Sequence, residues 1–266
     1  MRGPPVALTV AGSDSGGGAG VQADLKTFAA FGVFGTSVLT ALTAQNTTGV
    51  SGVHVVPPSF VVQQAEAVLE DLPVGAVKTG MLATADIVAA VAGLAEGGRL
   101  PNLVVDPVMV SSTGDRLLDA GAVGRYLTGL FPHSRVITPN LREAQVLLGR
   151  ELWTLDDVRA AAEDLFDTGP EVVVVKGGHP TADCPDEAVD VWFDGSELHE
   201  LRAPRLLTTN DHGTGCTFAS AVAARLAHGD DVPGALAAAK AYVARAMAAS
   251  SGWRLGRGHG PLDHSC

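Results

Sequence analysis

Residues 6–31, VALTVAGSDSGGGAGVQADLKTFAAF, make one complete strand–turn–helix unit. The apolar start, Val6–Ala11, predicts a buried strand, and the Ala/Leu-periodic Val21–Phe31 predicts a helix. Between them lies the glycine-dense Gly12–Gly20. Glycines at such a turn let backbone N–H groups approach a ligand closely. The spacing matches neither G-x-G-x-x-G nor G-x-x-x-x-G-K-[ST], which disfavours Rossmann-type dinucleotide binding and Walker-type phosphate binding. A ligand loop and a plain flexible turn are equally good interpretations of this segment.

The same alternation of short β-branched runs and longer periodic segments continues along the chain. Further predicted strands are Phe34–Ala41, Gly75–Lys78, Leu103–Asp106, Val136–Thr138 and Val172–Val175. Further predicted helices are Ser59–Glu70, Thr84–Leu94, Ala120–Leu130, Leu141–Leu148, Leu155–Phe166, Thr214–Ala227 and Val232–Ser250. This order predicts an α/β fold with a mainly parallel sheet that helices cover on both faces.

Two features complete the predicted architecture. Ala188–Phe193 and Glu197–Arg202 flank Asp194-Gly195, a pattern typical of an antiparallel hairpin attached to the sheet. No change in composition marks a linker, so we expect residues 1–266 to form a single domain. In open α/β sheets the ligand lies at the carboxyl ends of the strands, and the functional residues are therefore expected there.

The composition excludes several classes of protein. Of the 266 residues, 46% are apolar and 18% charged, which excludes a disordered chain or a coiled coil. The net charge of −11 and the absence of a basic stripe predict no nucleic-acid and no membrane partner. The longest strongly apolar run, Ile87–Ala95, is far shorter than the ~20 residues of a membrane span, and the N-terminus lacks a signal-peptide pattern. We therefore expect a cytoplasmic protein.

Cysteine and histidine spacings suggest no metal centre of their own. Cys184, Cys216 and Cys266 form no C-x-x-C pair, and no H-x-x-x-H pair occurs. We expect neither a disulfide framework nor a structural transition metal. His259 and His264 lie in a Gly/Pro-rich tail and are interpreted as solvent-exposed.

The segment NDHGTGCT, residues 210–217, precedes a predicted helix of small residues. Gly213 and Gly215 free the backbone so that N–H groups and the helix dipole converge on one point, which predicts an anion hole. A thiol at a helix start has a lowered pKa, so Cys216 is a candidate base at neutral pH. The alternative is a helix cap with a buried structural cysteine.

Three predicted strand ends carry polar groups that suit a Mg²⁺–phosphate cluster. Asp106 follows one strand, Asn140 and Glu143 follow the next, and Lys176 follows a third. Oxygen ligands suit Mg²⁺, and a lysine offsets phosphate charge. Each residue also has a structural interpretation: Asp106 as a strand-end cap, Asn140 at a helix start, and Lys176 at a solvated edge.

Gln45 lies in AQNTTG, residues 44–49, after the second predicted strand. Its carboxamide offers a donor and an acceptor, as needed to bind the edge of a flat aminopyrimidine. Taken alone, the residue is interpreted as part of a turn.

Seven motifs together resemble the bacterial hydroxymethylpyrimidine/phosphomethylpyrimidine kinases, in their order and over essentially the whole chain. They are Ala11–Thr27, Ala41–Thr47, Lys78–Leu82, Asp106–Met109, Thr138–Glu143, Val175–His179 and His212–Thr217. The resemblance implies a ribokinase-like three-layer αβα sandwich and a homodimer. It also implies that MgATP phosphorylates 4-amino-5-hydroxymethyl-2-methylpyrimidine, and then its monophosphate, for thiamine synthesis.

The resemblance assigns roles to individual residues. The implied pyrimidine pocket comprises Gly12, Asp24, Gln45, Met81 and Val108. The implied anion hole comprises Gly213, Thr214, Gly215 and Cys216, with Cys216 as the base on the hydroxymethyl oxygen. The implied MgATP site comprises Asp106, Asn140, Glu143 and Lys176, with Asp106 and Glu143 as the metal carboxylates.

Departures and alternatives remain. Asp211 stands where most relatives are expected to have Thr or Ser, and either binds Mg²⁺ or caps the turn. The polar Ser111–Arg116 segment is interpreted as a lid or a static loop.

The competing functions are a pyridoxal kinase of the same superfamily and a non-catalytic binder of a vitamin precursor. A binder needs no anion hole at the transferred phosphate, which argues against the second.

Overall fold

The computed structural model describes residues 3–109, 121–177 and 185–266. The strands in these ranges are β1 (Val6–Asp14), β2 (Phe34–Asn46), β3 (Gly49–Val55), β4 (Val74–Thr79), β5 (Val104–Val105), β6 (Val136–Ile137), β7 (Val172–Val175), β8 (Glu187–Phe193) and β9 (Leu198–Pro204). The helices are α1 (Gly20–Ala30), α2 (Pro58–Asp71), α3 (Ala85–Glu96), α4 (Ala122–Arg125), α5 (Leu141–Leu148), α6 (Leu155–Phe166), α7 (Thr214–His228) and α8 (Val232–Ser250). A π-helix, Tyr126–Leu130, and a 3₁₀ turn, Phe131–His133, continue α4.

The strands described form one sheet in the order β3-β2-β1-β4-β5-β6-β7-β8-β9. From β2 to β7 every neighbouring pair is parallel, whereas β3, β8 and β9 add antiparallel pairs at the two edges. β1 pairs with β2 on one side and with β4 on the other. The first strand of the chain is therefore an interior strand, as its uninterrupted apolar run predicts.

Helices cover both faces of this sheet. On one face, α2 to α6 pack around a core that includes Leu8, Val77 and Val105. On the other, α1, α7 and α8 pack around a second core that includes Ala7 and Val104. Adjacent strand residues point to opposite faces, so each interior strand contributes to both cores. This arrangement confirms the predicted three-layer αβα fold.

Several helices match their predicted bounds because side-chain caps fix their first turns. The bounds of α5, α6 and α8 agree with the predictions, and Asn140, Thr154 and Asp231 cap these helices. The helix predicted from residue 120 is observed from Ala122 and changes to a π-helix at Tyr126. In the ranges given above, every helix falls short of a membrane span in length or in apolar character.

The prediction for the second strand was wrong at its end. β2 continues to Asn46 and turns through Thr47 and Thr48 into β3, so Gln45 lies within a strand and not in a turn. β3 pairs antiparallel with β2 from Ala41↔Val55 to Asn46↔Gly49. No residue of β3 is fully buried, and a hairpin projecting beyond the core carries no apolar run to reveal it.

Candidate active site

A pocket of about 450 Å³ lies at the carboxyl ends of the parallel strands. The residues of the predicted anion hole, Gly213, Thr214, Gly215 and Cys216, line it. So do the predicted phosphate and metal residues Asp106, Asn140, Glu143 and Lys176. Of the predicted pyrimidine residues, Gly12, Gln45, Met81 and Val108 line it. The fold thus brings together every predicted site residue except Asp24.

Asp14 organises the glycine-rich loop, a role that the sequence did not reveal. Its carboxylate accepts hydrogen bonds from the backbone N–H groups of Gly16 (2.7 Å), Gly18 (3.1 Å) and Ala19 (2.9 Å). His212 Nε2 lies 2.9 Å from Asp14 Oδ2. Burial alone would raise the pKa of Asp14, but the hydrogen bonds from His212, Gly16 and Ala19 hold it below its usual range. Asp14 is therefore ionised, and His212 Nε2 carries the proton between them.

The glycine loop and the anion-hole loop meet backbone to backbone. Gly213 has φ of 89°, and a Cβ at this position would collide with the carbonyl oxygen of Gly18. Gly213 is also the residue that precedes α7. Glycine is thus required here for both its left-handed backbone and its lack of a side chain, which lets α7 begin at the pocket.

Lys176 and Asp106 form an ion pair beside the start of α7. Lys176 Nζ lies 2.6 Å from Asp106 Oδ1, which also accepts a hydrogen bond from Thr138 Oγ1 at 3.2 Å. A Cβ at Gly215 would lie 3.1 Å from Lys176 Nζ, so the ammonium is packed against the anion-hole backbone. A positive charge at a helix N-terminus makes this end of the pocket suited to phosphate.

Asn140 and Glu143 are joined in a capping box at the start of α5. The Asn140 side chain accepts from Glu143 N at 3.0 Å, and Glu143 Oε2 accepts from Asn140 N at 2.7 Å. Burial and the charge of Asp106 raise the pKa of Glu143 above its usual range, although Lys176 opposes the shift. The structural interpretation of Asn140 as a helix start is therefore correct, and both residues still line the pocket.

The donors at this end fit Mg²⁺ that arrives with a nucleotide. Within the described part of the chain, no group of three or more His, Cys, Asp or Glu residues is placed to hold a metal ion. Asp106 and Glu143 nevertheless offer carboxylate oxygens to the same pocket. Mg²⁺ is commonly held by one or two carboxylates together with substrate phosphates, and not by an all-protein cage.

Asp24 does not line the pocket, so its implied role in pyrimidine binding is wrong. The residue is fully buried, and its carboxylate accepts hydrogen bonds from Lys78, Thr9 and Ser220. A buried carboxylate needs such partners, and together they hold it away from the cavity. The sequence placed Asp24 on the first helix but did not show which way the side chain points.

The prediction that the Cys216 thiol has a lowered pKa is also wrong. Burial, together with the charges of Asp24 and Asp106, raises the pKa of Cys216 to about 11, against a lowering effect of Lys78. The Gly20 N–H donates a hydrogen bond to the sulfur, so the first turn of α1 as well as that of α7 faces it. The helix starts are present as predicted. Their lowering effect on the pKa of Cys216 is smaller than the raising effects of burial and of the two nearby carboxylates.

Another part of the pocket lining combines Gln45 with an apolar wall. Gln45 Oε1 accepts a hydrogen bond from Thr43 Oγ1 at 3.1 Å, and Gln45 Nε2 lies 3.5 Å from His212 Nε2. Because His212 Nε2–H donates to Asp14, this nitrogen cannot also accept a hydrogen bond from the Gln45 amide. Met81 and Val108 belong to a small apolar cluster on this side. An apolar wall beside a carboxamide suits a flat heterocycle.

Of the two histidines interpreted as solvent-exposed, His259 is half-exposed and His264 is not exposed. His259 lines the pocket, and its Nδ1 lies 2.7 Å from Asp211 Oδ1. His264 is buried, and its Nε2 lies 2.9 Å from Thr217 Oγ1. Asp211 also closes the turn, since its carbonyl accepts from Thr214 Oγ1 at 2.9 Å. The predicted lid, Ser111–Arg116, lies outside the described residues.

Comparison with known proteins gives this pocket a family. The model of the phosphomethylpyrimidine kinase family matches residues 14–263. A hydroxymethylpyrimidine/phosphomethylpyrimidine kinase of Streptomyces coelicolor is 52% identical over 261 residues, 98% of this chain and 94% of the relative. A thiamine biosynthesis bifunctional protein of Geobacter sulfurreducens is 51% identical over 257 residues. That match covers 97% of this chain but 51% of the relative, so the chain spans about half the length of the bifunctional relatives it matches.

A solved structure adds a neighbour with ligands. The pyridoxal kinase of Staphylococcus aureus in complex with AMP-PCP and pyridoxal superimposes with a TM-score of 0.89 at 36% identity. The match covers 99% of this chain and 94% of that one. The fold is therefore ribokinase-like, as the resemblance implied. On the family model and these identities, the chain belongs to the phosphomethylpyrimidine kinase family.

Proposed function

We propose that the protein transfers the γ-phosphate of ATP to 4-amino-5-hydroxymethyl-2-methylpyrimidine and then phosphorylates the monophosphate to the diphosphate, in thiamine biosynthesis. One observation carries the proposal: Gln45, the anion hole, Lys176 and two carboxylates line a single pocket. The names of the relatives from Streptomyces coelicolor and Geobacter sulfurreducens support the same activity.

The first transfer needs a proton acceptor and a stabilised phosphoryl group. Cys216, as the thiolate, accepts the hydroxymethyl proton while the oxygen bonds to the γ-phosphorus. The bond from that phosphorus to the bridging oxygen breaks, ADP leaves, and the Cys216 thiol later loses its proton to solvent. The N–H groups at the start of α7 stabilise the negative charge on the transferring group.

Two positively charged groups neutralise the phosphates in this scheme. Lys176 is placed against the anion-hole backbone by its ion pair with Asp106. Bound Mg²⁺ would be held by Asp106 and Glu143 and would neutralise charge on the nucleotide phosphates. Asn140 positions Glu143 through the capping box.

The second transfer uses a different nucleophile. A phosphate monoester is already largely deprotonated at pH 7, because its second pKa is about 6. The second step therefore needs no proton acceptor, and Cys216 contributes less to it. Both steps share the anion hole and Lys176.

The competing substrate is pyridoxal, because the neighbour from Staphylococcus aureus holds AMP-PCP and pyridoxal. A mass-resolved product assay with MgATP and each substrate separates the two. Mono- and then diphosphorylated pyrimidine is the expected result. Pyridoxal phosphate without a pyrimidine product would overturn the proposal and indicate vitamin B6 salvage, and no ATP turnover with either would indicate a binder.

We further propose a cytoplasmic homodimer, as the resemblance implies. The hairpin β2–β3 supports this proposal, because the apolar side chains of Leu42, Val53 and Val55 are exposed on it. Apolar side chains grouped at a sheet edge are typical of an interface. Sedimentation velocity is expected to give twice the chain mass, and a monomer at micromolar concentration would contradict the proposal.

A further inference from the structure

A closed ion pair lies behind Cys216 and takes no part in the scheme above. Lys78 Nζ lies 2.8 Å from Asp24 Oδ1 and 3.0 Å from Oδ2. Thr9 Oγ1 and Ser220 Oγ each donate to the same carboxylate at 2.6 Å. All four residues are fully buried. Taking such a pair out of water is costly, so its burial points to a role beyond stability.

Two contacts between α1 and α7 place this pair one helical turn from the thiol. The Gly20 N–H donates to Cys216 Sγ at the first turn of each helix. One turn later in each helix, Ser220 Oγ donates to Asp24 Oδ1. Residues four apart lie on the same face of a helix, so Cys216 and Ser220 face α1 together. The carboxylate that holds Lys78 is therefore adjacent to the reactive end of α7.

The Lys78 side chain extends toward the pocket end of β4. A Cβ at Gly80, two residues further along the chain, would lie 2.8 Å from Lys78 Nζ and 3.0 Å from the Ala11 Cβ. The glycine thus leaves the space that the ammonium occupies. Met81, the next residue, lines the pocket.

The charges near Cys216 come from four elements, with opposite effects. Asp24 on α1 and Asp106 after β5 oppose a thiolate, whereas Lys78 on β4 and Lys176 after β7 favour one. Burial alone would lower the pKa of Lys78, but the charges of Asp24, Cys216 and Asp106 raise it above its usual range. The ammonium therefore stays charged at physiological pH.

We propose that Lys78 is a positioning residue for Cys216: its buried ammonium, held by the Asp24 carboxylate about one helical turn from the thiol, stabilises the thiolate that accepts the substrate proton. The negative charge of Asp24 partly cancels the stabilising effect of Lys78 on the thiolate. The inference rests on the proposed role of Cys216 as proton acceptor. It gives the two partners of one ion pair opposite effects on the same thiol.

The test is the alkylation rate of Cys216 by iodoacetamide at pH 8, without ATP or substrate. Mass spectrometry of the Cys216 peptide separates it from the other cysteines, and the side chain is partly accessible. Asp24→Asn keeps acceptors and donors for Thr9 and Ser220 but removes the competing charge. We expect it to react about tenfold faster, since one pKa unit is a factor of ten in thiolate. Lys78→Met is expected to react about tenfold slower.

A second pair of variants protects the test against a folding failure of Lys78→Met. Asp24→Asn and Asp24→Asn/Lys78→Met differ only at Lys78, and the double variant leaves no unpaired carboxylate. The double variant is expected to react at least tenfold more slowly than Asp24→Asn. Lys240→Met removes a comparable ion pair, with Asp190 at 2.8 Å and outside the pocket, and is expected to stay within twofold of the wild type.

The outcomes are distinct. Opposite changes for the two single variants, or the expected difference between Asp24→Asn and the double variant, support the proposal. Changes in the same direction, or no difference at Lys78, overturn it and leave a purely structural ion pair. Because the readout needs no turnover, failure of the kinase assignment would appear in the product assay and not here. Full retention of the first phosphorylation by Cys216→Ala would remove the base role while leaving the alkylation result intact.

Discussion

Lys78–Asp24 and Lys176–Asp106 are two ion pairs of the same chemistry, and only the second lines the pocket. In the first, protein groups satisfy the carboxylate and neither side chain is exposed. In the second, Lys176 retains 11% exposure, and Asp106 accepts from Lys176 and Thr138. A closed pair can act on its neighbours only through its field, whereas an open pair can exchange a partner for a ligand.

The largest expected effect on stability comes from removing the lysine of the buried pair Lys78–Asp24. Lys78→Met leaves Asp24 charged and buried, so the free energy of unfolding should fall by about 3–5 kcal/mol. Denaturant unfolding at pH 7 measures it. Lys78→Met/Asp24→Leu removes both charges and is expected to recover most of the loss. If the free energy of unfolding of Lys78→Met lies within about 1 kcal/mol of the wild-type value, the Lys78–Asp24 pair is exposed to solvent and not buried.

Removing the lysine of the open pair should instead affect catalysis. Lys176→Met is expected to lower kcat by about 10²–10³-fold in both phosphorylations, because a charge beside the transferring phosphate is lost. Its stability loss should be smaller than that of Lys78→Met, since Thr138 still donates to Asp106. Steady-state kinetics for each step measure kcat, with Lys240→Met as the control. If kcat of Lys176→Met stays within threefold of the wild-type value, Lys176 does not contact the transferring phosphate.

The buried side chain of His264 shows how burial changes the titration of a group that forms no ion pair with any residue the structure describes. Burial and the charge of Lys26 lower the pKa of His264 to about 4. The folded protein therefore binds this proton less tightly than the unfolded chain, whose value is 6.5. Stability from this group is complete above pH 6.5 and falls by about 3 kcal/mol as the pH drops to 4. Unfolding curves at both pH values measure it, and His264→Gln should reduce the difference.

The pH dependence of the two transfers compares the thiol with the phosphate nucleophile. With the pKa of Cys216 at about 11, kcat/KM for the first step should rise by up to tenfold per pH unit from pH 7 to 9. The second step should change little over this range. Cys216→Ala is expected to lose most of the first step and its slope. Equal losses in both steps would show that Cys216 positions the substrate and does not deprotonate it.

The smallest expected effect is at Asp211, which lines the pocket beside the anion hole. Asp211 places a half-exposed carboxylate near the anion hole, paired with His259. Asp211→Thr removes that charge, and KM for ATP should fall by about threefold, since exposed charges contribute about 1 kcal/mol or less. Initial rates at varied ATP measure it. A rise in KM would indicate that Asp211 helps to hold the nucleotide cation.

Local signals in the sequence were sufficient for much of the fold and the pocket. The cap at Asn140 fixes the start of α5, and the run Val172–Val175 identifies a buried strand. The order of strands and helices alone brings Asp106, Asn140 and Lys176 to one edge, because parallel strands all end there.

What the sequence could not predict depends on contacts between distant segments. Asp24 meets Lys78 across 54 residues and Ser220 across 196. The environment of Cys216 follows from those contacts and not from its own helix. The lysine in the otherwise apolar strand around Lys78 was a signal that could have been used, since a lysine in a buried strand requires a counter-charge.

The contact between Gly18 and Gly213 also bears on how the protein is made. The Asp14 carboxylate in the glycine loop pairs with His212, which lies 198 residues later in the chain. The first strand is likewise an interior strand and pairs with β4. Synthesis runs from the N-terminus, so the loop must remain without its partner until α7 emerges. The pocket lining is therefore complete only once the start of α7 has been made, and a product that ends before α7 lacks the anion hole.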